Sequence, residues 1–178
     1  MTGALSGKMV ALLATDGVEQ VELTTPWDKL RQAGAKVELV SLESGSIRGY
    51  HHLDKGDSFS VDKTVNEVTA EQFDALVLPG GLANPDALRL NTEAVDLVKH
   101  CVQADMPVAA ICHAPWLLVE AGVVKGRTMT SFPSLRTDIQ NGGGHWVDQA
   151  VHQEAGIITS RKPDDLEQFC DALIAALG

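Results

Sequence analysis

The chain alternates short apolar runs with amphipathic stretches, and this alternation restricts its fold more than any other feature. The runs at 8–14, 74–79 and 107–111 are apolar almost throughout, which is typical of strands buried on both faces of a parallel sheet. Stretches such as 19–33 and 92–104 carry apolar residues at helical spacing. The pattern predicts an α/β fold, a three-layer sandwich in which helices cover both faces of a mostly parallel sheet.

Three local signals refine this prediction. Pro26 lies inside the first helical pattern and predicts either a kink or a delayed helix start. Val21 is among the residues of that helix expected to face inward. Residues 146–152 have a strand-like composition and are predicted to form one strand.

Residues 43–65 interrupt the alternation with glycines and polar residues. Gly45, Gly49 and Gly56 are turn signals that flank short polar strands. We predict a hairpin-like excursion from the main sheet, or a subunit contact, within a single domain that spans residues 1–178.

Composition excludes several classes of protein. Of the 178 residues, 44% are hydrophobic and 21% are charged, which is usual for a globular domain and unlike a disordered chain, a collagen or a coiled coil. The net charge of −10 repels phosphate backbones, and 4% aromatic residues leave no platform for base stacking. No apolar segment reaches the roughly 18 residues of a membrane span. We expect neither a nucleic-acid partner nor a membrane partner.

The cysteines and histidines match neither a disulfide framework nor a metal motif. Cys101, Cys112 and Cys170 are widely spaced, odd in number and without a C-x-x-C pair, which is typical of free thiols in a reducing compartment. The histidines at 51–52 and 152 belong to no zinc motif, and no glycine-rich phosphate loop is present. We predict a cytoplasmic protein with no metal and no cofactor.

The junction between the run at 107–111 and the next helix is the strongest candidate for chemistry. There Cys112 would meet the unpaired N–H groups and positive dipole of a helix start, which lower the pKa of a thiol. Ala110 and Ala114 are small enough for a sharp elbow, although the serine-hydrolase pattern G-x-S-x-G is absent. His113 could act as a base if the elbow turns both side chains toward one cleft. The residues alone equally allow an inert cysteine and a packing histidine.

Six motifs occur in order along nearly the whole chain: DGVEQVELTTP (16–26), LVLPGG (76–81), PDALRLN (85–91), PVAAICHAP (107–115), GRTMTSFP (126–133) and TSRKPDDL (159–166). Together they resemble the PfpI family of intracellular cysteine peptidases. This family belongs to the class I glutamine-amidotransferase-like superfamily and has a Parkinsonism-associated protein deglycase and redox sensor as a relative. The resemblance implies a flavodoxin-like sheet.

The resemblance implies roles for Cys112 and for four residues around it. Cys112 corresponds to the family nucleophile and His113 to the imidazole beside it. Glu22 matches a buried acid that hydrogen-bonds the sulfur, although a helix glutamate is ordinarily solvated. Gly80 and Gly81 match a turn that faces the cysteine, where backbone N–H groups can form an oxyanion hole.

Three further residues correspond to more variable parts of the family site. Asp86 aligns with an acid that some members supply from a neighbouring subunit to orient the histidine, although those members carry a longer glutamate. His145 corresponds to a histidine near the cysteine in the deglycase relatives, and Arg161 lies in a loop that borders the site. A helix-start acid, a loop histidine and a surface arginine are the alternatives. From the family and the excursion at 43–65 we expect at least a homodimer.

The resemblance implies a stress-response enzyme that acts on reactive carbonyls through a Cys112 thiolate. Its substrate would be a small carbonyl or a glycated molecule, in a deglycase or glyoxalase-type reaction. An intracellular cysteine peptidase that acts on peptides is one alternative, and a non-enzymatic redox sensor or chaperone that uses the same cysteine is another. In each case Cys112 should react first, because Cys101 and Cys170 lie on apolar helix faces.

Overall fold

The computed structural model describes residues 3–178, and within that range the chain forms twelve strands, six α-helices and four short 3₁₀ helices. The strands are β1 (Met9–Leu13), β2 (Val18–Glu19), β3 (Lys36–Ser41), β4 (Ser46–His51), β5 (Asp54–Ser60), β6 (Lys63–Thr64), β7 (Ala75–Leu78), β8 (Val108–Ile111), β9 (Thr128–Met129), β10 (His145–Trp146), β11 (Val151–Glu154) and β12 (Ile157–Ser160). The helices are α1 (Gln20–Gln32), α2 (Ala83–Leu88), α3 (Thr92–Gln103), α4 (Pro115–Glu120), α5 (Arg136–Asn141) and α6 (Leu166–Leu177).

Seven strands form the central sheet in the order β11-β12-β8-β7-β1-β3-β6. All neighbours are parallel except the edge strand β11, which is antiparallel to β12. Numbered along the chain, the five inner strands follow the doubly wound order 2-1-3-4-5. The direction of winding reverses between β1 and β7, and ligands of such sheets bind at the carboxyl ends of the strands there.

Side chains of the buried strands alternate between two apolar cores. Leu12 contributes to the core under α1 and α6, whereas its neighbours Ala11 and Leu13 contribute to the core under α2, α3, α4 and α5. This alternation follows from the two-residue period of a strand, and it requires the continuous apolar runs seen in the sequence. The predicted α/β sandwich with helices on both faces is confirmed. No helix within residues 3–178 is long and apolar enough to cross a membrane.

The structure corrects three local predictions. Helix α1 begins at Gln20 and continues through Pro26, so the delayed start is wrong. Val21 is 36% exposed instead of facing inward, because Leu23, Pro26 and Leu30 form the buried stripe of this helix. The single strand over 146–152 is also wrong, since β10 and β11 are separate and pair with different partners, β9 and β12.

Strands β4 and β5 form an antiparallel hairpin within residues 43–65. Together with β2 they make a three-stranded sheet outside the central one. The chain then returns through β6 to the edge of the central sheet beside β3. The hairpin as a subunit contact, and the homodimer itself, stay predictions.

Candidate active site

The chain turns sharply at Cys112, directly after β8 and shortly before α4. Its φ of +63° lies in the left-handed region, which is uncommon for a residue with a side chain. Backbone hydrogen bonds hold this conformation on both sides: Cys112 N–H donates to the Ser160 carbonyl at 3.0 Å, and Phe132 N–H donates to the Cys112 carbonyl at 2.8 Å. Strain that is held in this way is typical of functional sites.

Glu22 lies on the buried face of α1 and is completely shielded from solvent. Its Oε1 accepts a hydrogen bond from Gly81 N–H at 3.1 Å, while its Oε2 has no hydrogen-bond partner. Burial, reinforced by the charge of Glu19, raises the pKa of Glu22 from 4.5 to about 8. A carboxyl in this environment carries its proton at neutral pH.

The Cys112 thiol and the Glu22 carboxyl form a coupled pair. Burial is the largest influence on the thiol and raises its pKa, and an ionised Glu22 raises it further, so the lowering expected from the helix start is outweighed. The backbone N–H groups of Gly81 and His113 act in the opposite direction, since they donate to the sulfur and favour its anion. Because two adjacent buried anions repel each other, at most one of the two groups is ionised in the neutral range.

The sequence analysis expected the backbone N–H groups of Gly80 and Gly81 to face Cys112, and the structure replaces one of these two donors. The N–H groups of Gly80 and Gly81 both reach Glu22, whereas Gly81 also donates to the sulfur. The second donor at the sulfur is the backbone N–H of His113, which sequence reasoning overlooked. In nucleophile elbows the residue after the nucleophile supplies such a donor, so the elbow pattern itself was the available signal.

Asn84 fixes the glycine turn against the end of β1. Its Nδ2 donates to the carbonyls of Pro79 and Gly80, both at 3.0 Å, and its Oδ1 accepts from Thr15 N–H at 2.7 Å. The side chain is completely buried, and a buried amide with three such bonds is rigidly held. The sequence analysis did not identify Asn84. The only signal for it was an amide residue shortly after two glycines at the end of a strand.

Gly80 leaves no room for a side chain. A Cβ there would lie 2.7 Å from each of three atoms: the Cys112 Cβ, the Glu22 Oε1 and the Ile111 carbonyl oxygen. We expect Gly80→Ala to lower the free energy of unfolding by about 2–3 kcal/mol, the usual cost of overpacking, as measured by urea unfolding. Gly178→Ala is the control, because its backbone is outside the left-handed region and its Cβ would meet only the Ile174 carbonyl oxygen, at an ordinary 3.5 Å. An equal loss in both variants would contradict this crowding.

The His113 ring lies between Cys112 and the loop that follows β9. Its Nδ1 is 3.1 Å from the Cys112 Sγ, and its Nε2 is 3.3 Å from the Ser134 Oγ. The ring stacks on Phe132 with centroids 4.6 Å apart and meets the edge of Trp116 at 5.2 Å. Burial lowers the pKa of His113, so the imidazole is neutral at pH 7. The contacts from Phe132 and Ser134 were not foreseen.

The remaining predicted residues lie farther from these contacts. Asp86 is exposed on α2 and lines an open cleft of about 760 Å³ together with Gly81 and Trp116. His145 is exposed at the start of β10. Arg161 follows β12, where its guanidinium binds Asp165 at 2.9 Å and Asp148 at 2.8 Å. Within residues 3–178 none of the three makes a hydrogen bond to Cys112 or His113. That same range contains no group of three or more acidic, histidine or cysteine residues suited to a metal.

The chain is similar to known proteins over most of its length. The model of the DJ-1/PfpI family matches residues 8–176. A deglycase from Pyrococcus horikoshii is 43% identical over 157 residues, covering 88% of this chain and 92% of that protein. A candidate cysteine protease from Bacillus subtilis is 39% identical over 163 residues, covering 91% of this chain and 94% of that protein.

A solved structure shares the whole fold. It is a two-domain protein from Anabaena variabilis with a DJ-1/ThiJ/PfpI-like and a ferritin-like domain. The two structures superpose with a TM-score of 0.91 at 34% identity, over 96% of this chain and 48% of the two-domain protein. The resemblance inferred from the six motifs is therefore confirmed, and the chain belongs to the DJ-1/PfpI family.

Proposed function

We propose that this protein is a cysteine-dependent enzyme that acts on reactive carbonyls, as a deglycase or in a glyoxalase-type reaction. One observation carries the proposal: a cysteine on a strained elbow contacts an imidazole, a buried carboxyl and two backbone N–H donors at the carboxyl edge of the sheet. The relative from Pyrococcus horikoshii, which is named a deglycase, supports this choice of reaction. The three free thiols support the proposed cytoplasmic location.

In the proposed resting state, the proton shared by the pair lies on Glu22 and Cys112 is a thiolate. The unpartnered Oε2 supports this arrangement, because an ionised carboxylate with a bare buried oxygen is costly. The thiolate receives N–H donors from Gly81 and His113 instead. Glu22 thus stores a proton within reach of the reacting atoms.

The proposed reaction begins when the thiolate attacks an aldehyde carbon, for which methylglyoxal serves as the example. The C–S bond forms, the carbonyl π pair moves to oxygen, and the proton stored on Glu22 neutralises this oxyanion to give a hemithioacetal. The Glu22 carboxylate then takes the proton from the former aldehyde carbon and delivers it to the neighbouring carbon, while the hydroxyl proton passes to the neighbouring carbonyl oxygen, which leaves a thioester. Water then attacks the thioester, the C–S bond breaks to release lactate and the Cys112 thiolate, and a proton from the water returns to Glu22. The sequence is redox-neutral and needs water as its only co-reactant.

The open cleft beside the glycine turn supports a substrate larger than a free aldehyde. Its volume of about 760 Å³ lies in the range of ordinary ligand sites. Gly81 and Trp116 line it, and these residues also border Cys112 and His113. We propose that the cleft receives the amine or peptide portion of a glycated substrate while the carbonyl carbon reaches the sulfur.

A cysteine peptidase is the second candidate. The relative from Bacillus subtilis, with its cysteine-protease name, supports it, as does the contact between the Cys112 Sγ and the His113 Nδ1 at 3.1 Å. Acyl transfer and carbonyl addition need the same nucleophile and the same oxyanion donors. Turnover assays must therefore separate the two.

Three substrates distinguish the candidates. The purified protein is incubated separately with methylglyoxal, with a methylglyoxal-modified peptide and with casein. We expect lactate from the first two, recovery of the free peptide from the second, and intact casein. Casein cleavage without lactate would replace the proposal by the peptidase. No turnover of any substrate would overturn both enzymes and favour the redox sensor or chaperone.

A further inference from the structure

The two ring nitrogens of His113 each face a single polar partner. Nδ1 lies 3.1 Å from the Cys112 Sγ, and Nε2 lies 3.3 Å from the Ser134 Oγ. Phe132 and Trp116 hold the ring from its face and its edge, so the ring cannot easily turn away from these partners. The imidazole therefore bridges the candidate nucleophile and a serine hydroxyl.

The loop that carries Ser134 is fixed to the elbow. Phe132 N–H donates to the Cys112 carbonyl at 2.8 Å, and Leu135 N–H donates to the Phe132 carbonyl at 3.0 Å. The Leu135 side chain is buried in the core. On the other side, Trp146 Nε1 donates to the Ser131 Oγ at 2.9 Å. Ser134 is thus held at its place by contacts that do not involve its own side chain.

A hydroxyl differs from a carboxylate as a partner for Nε2. A carboxylate only accepts, so it requires Nε2–H and stabilises the imidazolium. A hydroxyl can also donate to an unprotonated Nε2. Burial keeps His113 neutral by lowering its pKa, and a neutral ring has one N–H only. If Nδ1–H points at a thiolate, Nε2 must accept, and Ser134 can supply the hydrogen.

We propose that Ser134 is a positioning residue that donates to His113 Nε2 and thereby holds the neutral tautomer with Nδ1–H directed at the Cys112 sulfur. The inference rests on the thiolate chemistry of the proposed function. In this arrangement Ser134 of the same chain orients the His113 ring. Asp86 of a neighbouring subunit was the candidate for that role. Within residues 3–178, Asp86 lies on α2 and makes no hydrogen bond to the His113 ring of its own chain.

Nitrogen-15 NMR of the imidazole side chains of the full-length protein tests this assignment directly, with His113→Asn used to identify the His113 signals. At neutral pH we expect Nδ1 protonated and Nε2 unprotonated in the wild type. Ser134→Ala should shift the ring toward the Nε2–H tautomer, and Ser134→Thr should restore the wild-type form. Ser134→Asp should impose Nε2–H and raise the pKa of His113. At about pH 5, where the rate follows the ionised fraction of Cys112, iodoacetamide alkylation should slow about fivefold in Ser134→Ala, the size of one hydrogen bond, and recover in Ser134→Thr.

Ser131→Ala is the structural control. It removes the acceptor of the Trp146 hydrogen bond and loosens the same loop, but it leaves Ser134 in place, so the tautomer should match the wild type. An Nε2–H tautomer in the wild type, or identical spectra for Ser134→Ala and wild type, would overturn the assignment. The predicted tautomer in a protein that does not convert methylglyoxal would overturn only the proposed function. Lactate formation by a protein with the Nε2–H tautomer would overturn only the role of Ser134.

Discussion

Cys112→Ser should lower the initial rate of lactate formation from methylglyoxal by roughly a thousandfold or more. The substitution is nearly isosteric, but a serine hydroxyl stays un-ionised at neutral pH and forms the covalent adduct far more slowly. The surrounding contacts from Glu22 and His113 remain, so the loss would report the nucleophile and not the site architecture. The measurement compares initial rates at equal concentrations of folded protein.

Cys170→Ala is the matched control for this loss. Cys170 is 1% exposed on the apolar stripe of α6, and burial raises the pKa of its thiol to about 11. We expect this variant to retain activity within about twofold once its folded fraction is taken into account. Activity of Cys112→Ser within tenfold of wild type, or equal losses in the two variants, would remove Cys112 from the mechanism.

The largest effect on stability should come from Glu22→Gln, and it should depend on pH. Burial first, and then the charge of Glu19, raise the pKa of Glu22 from 4.5 to about 8. An acid whose pKa is higher in the folded state stabilises the fold while it is protonated. Its contribution is complete below about pH 4.5 and is lost as the pH rises toward about 8. The glutamine of Glu22→Gln stays neutral at every pH. Relative to this variant, the free energy of unfolding of the wild type should fall by at most about 5 kcal/mol between about pH 4.5 and about pH 8.

Urea unfolding of both proteins at a series of pH values measures this difference. Glu93→Gln serves as the control, since Glu93 is exposed in the first turn of α3 and its removal should leave the wild-type pH profile almost unchanged. Parallel profiles for the wild type and Glu22→Gln would show that Glu22 ionises as an ordinary glutamate. Glu22 would then carry no proton at neutral pH that it could give to a substrate.

The layers of the fold could be predicted because their signals are local. A run such as 107–111 is apolar on both sides, and only a strand between two helix layers buries both sides. The buried face of α1 was harder to predict. Val21 is as apolar as Leu23, and only packing against the sheet decides which of the two is buried. The motifs, and not the helix pattern, placed Glu22 at the site, because its hydrogen bond to Gly81 joins residues 59 positions apart.

The parts of the site that were missed depend on contacts across the chain. Asn84 bonds to Thr15, which is 69 residues away, and Ser134 reaches His113 across 21 residues. Asparagine and serine are common in turns for purely local reasons, so their composition does not distinguish these roles. The strained φ of Cys112 could be foreseen from the small flanking residues, whereas the side chains that gather around it required the tertiary structure.

The central claim is that Cys112 is ionised at neutral pH because Glu22 carries the proton of the pair. The most direct test is the rate of iodoacetamide alkylation as a function of pH, resolved for each cysteine by peptide mass spectrometry. We expect Cys112 to react faster than Cys101 and Cys170 and to keep most of its rate from about pH 8 down to about pH 6. A Cys112 rate that falls about tenfold per pH unit below about 8.5, as for an ordinary thiol, or faster labelling of Cys101 or Cys170, would contradict it.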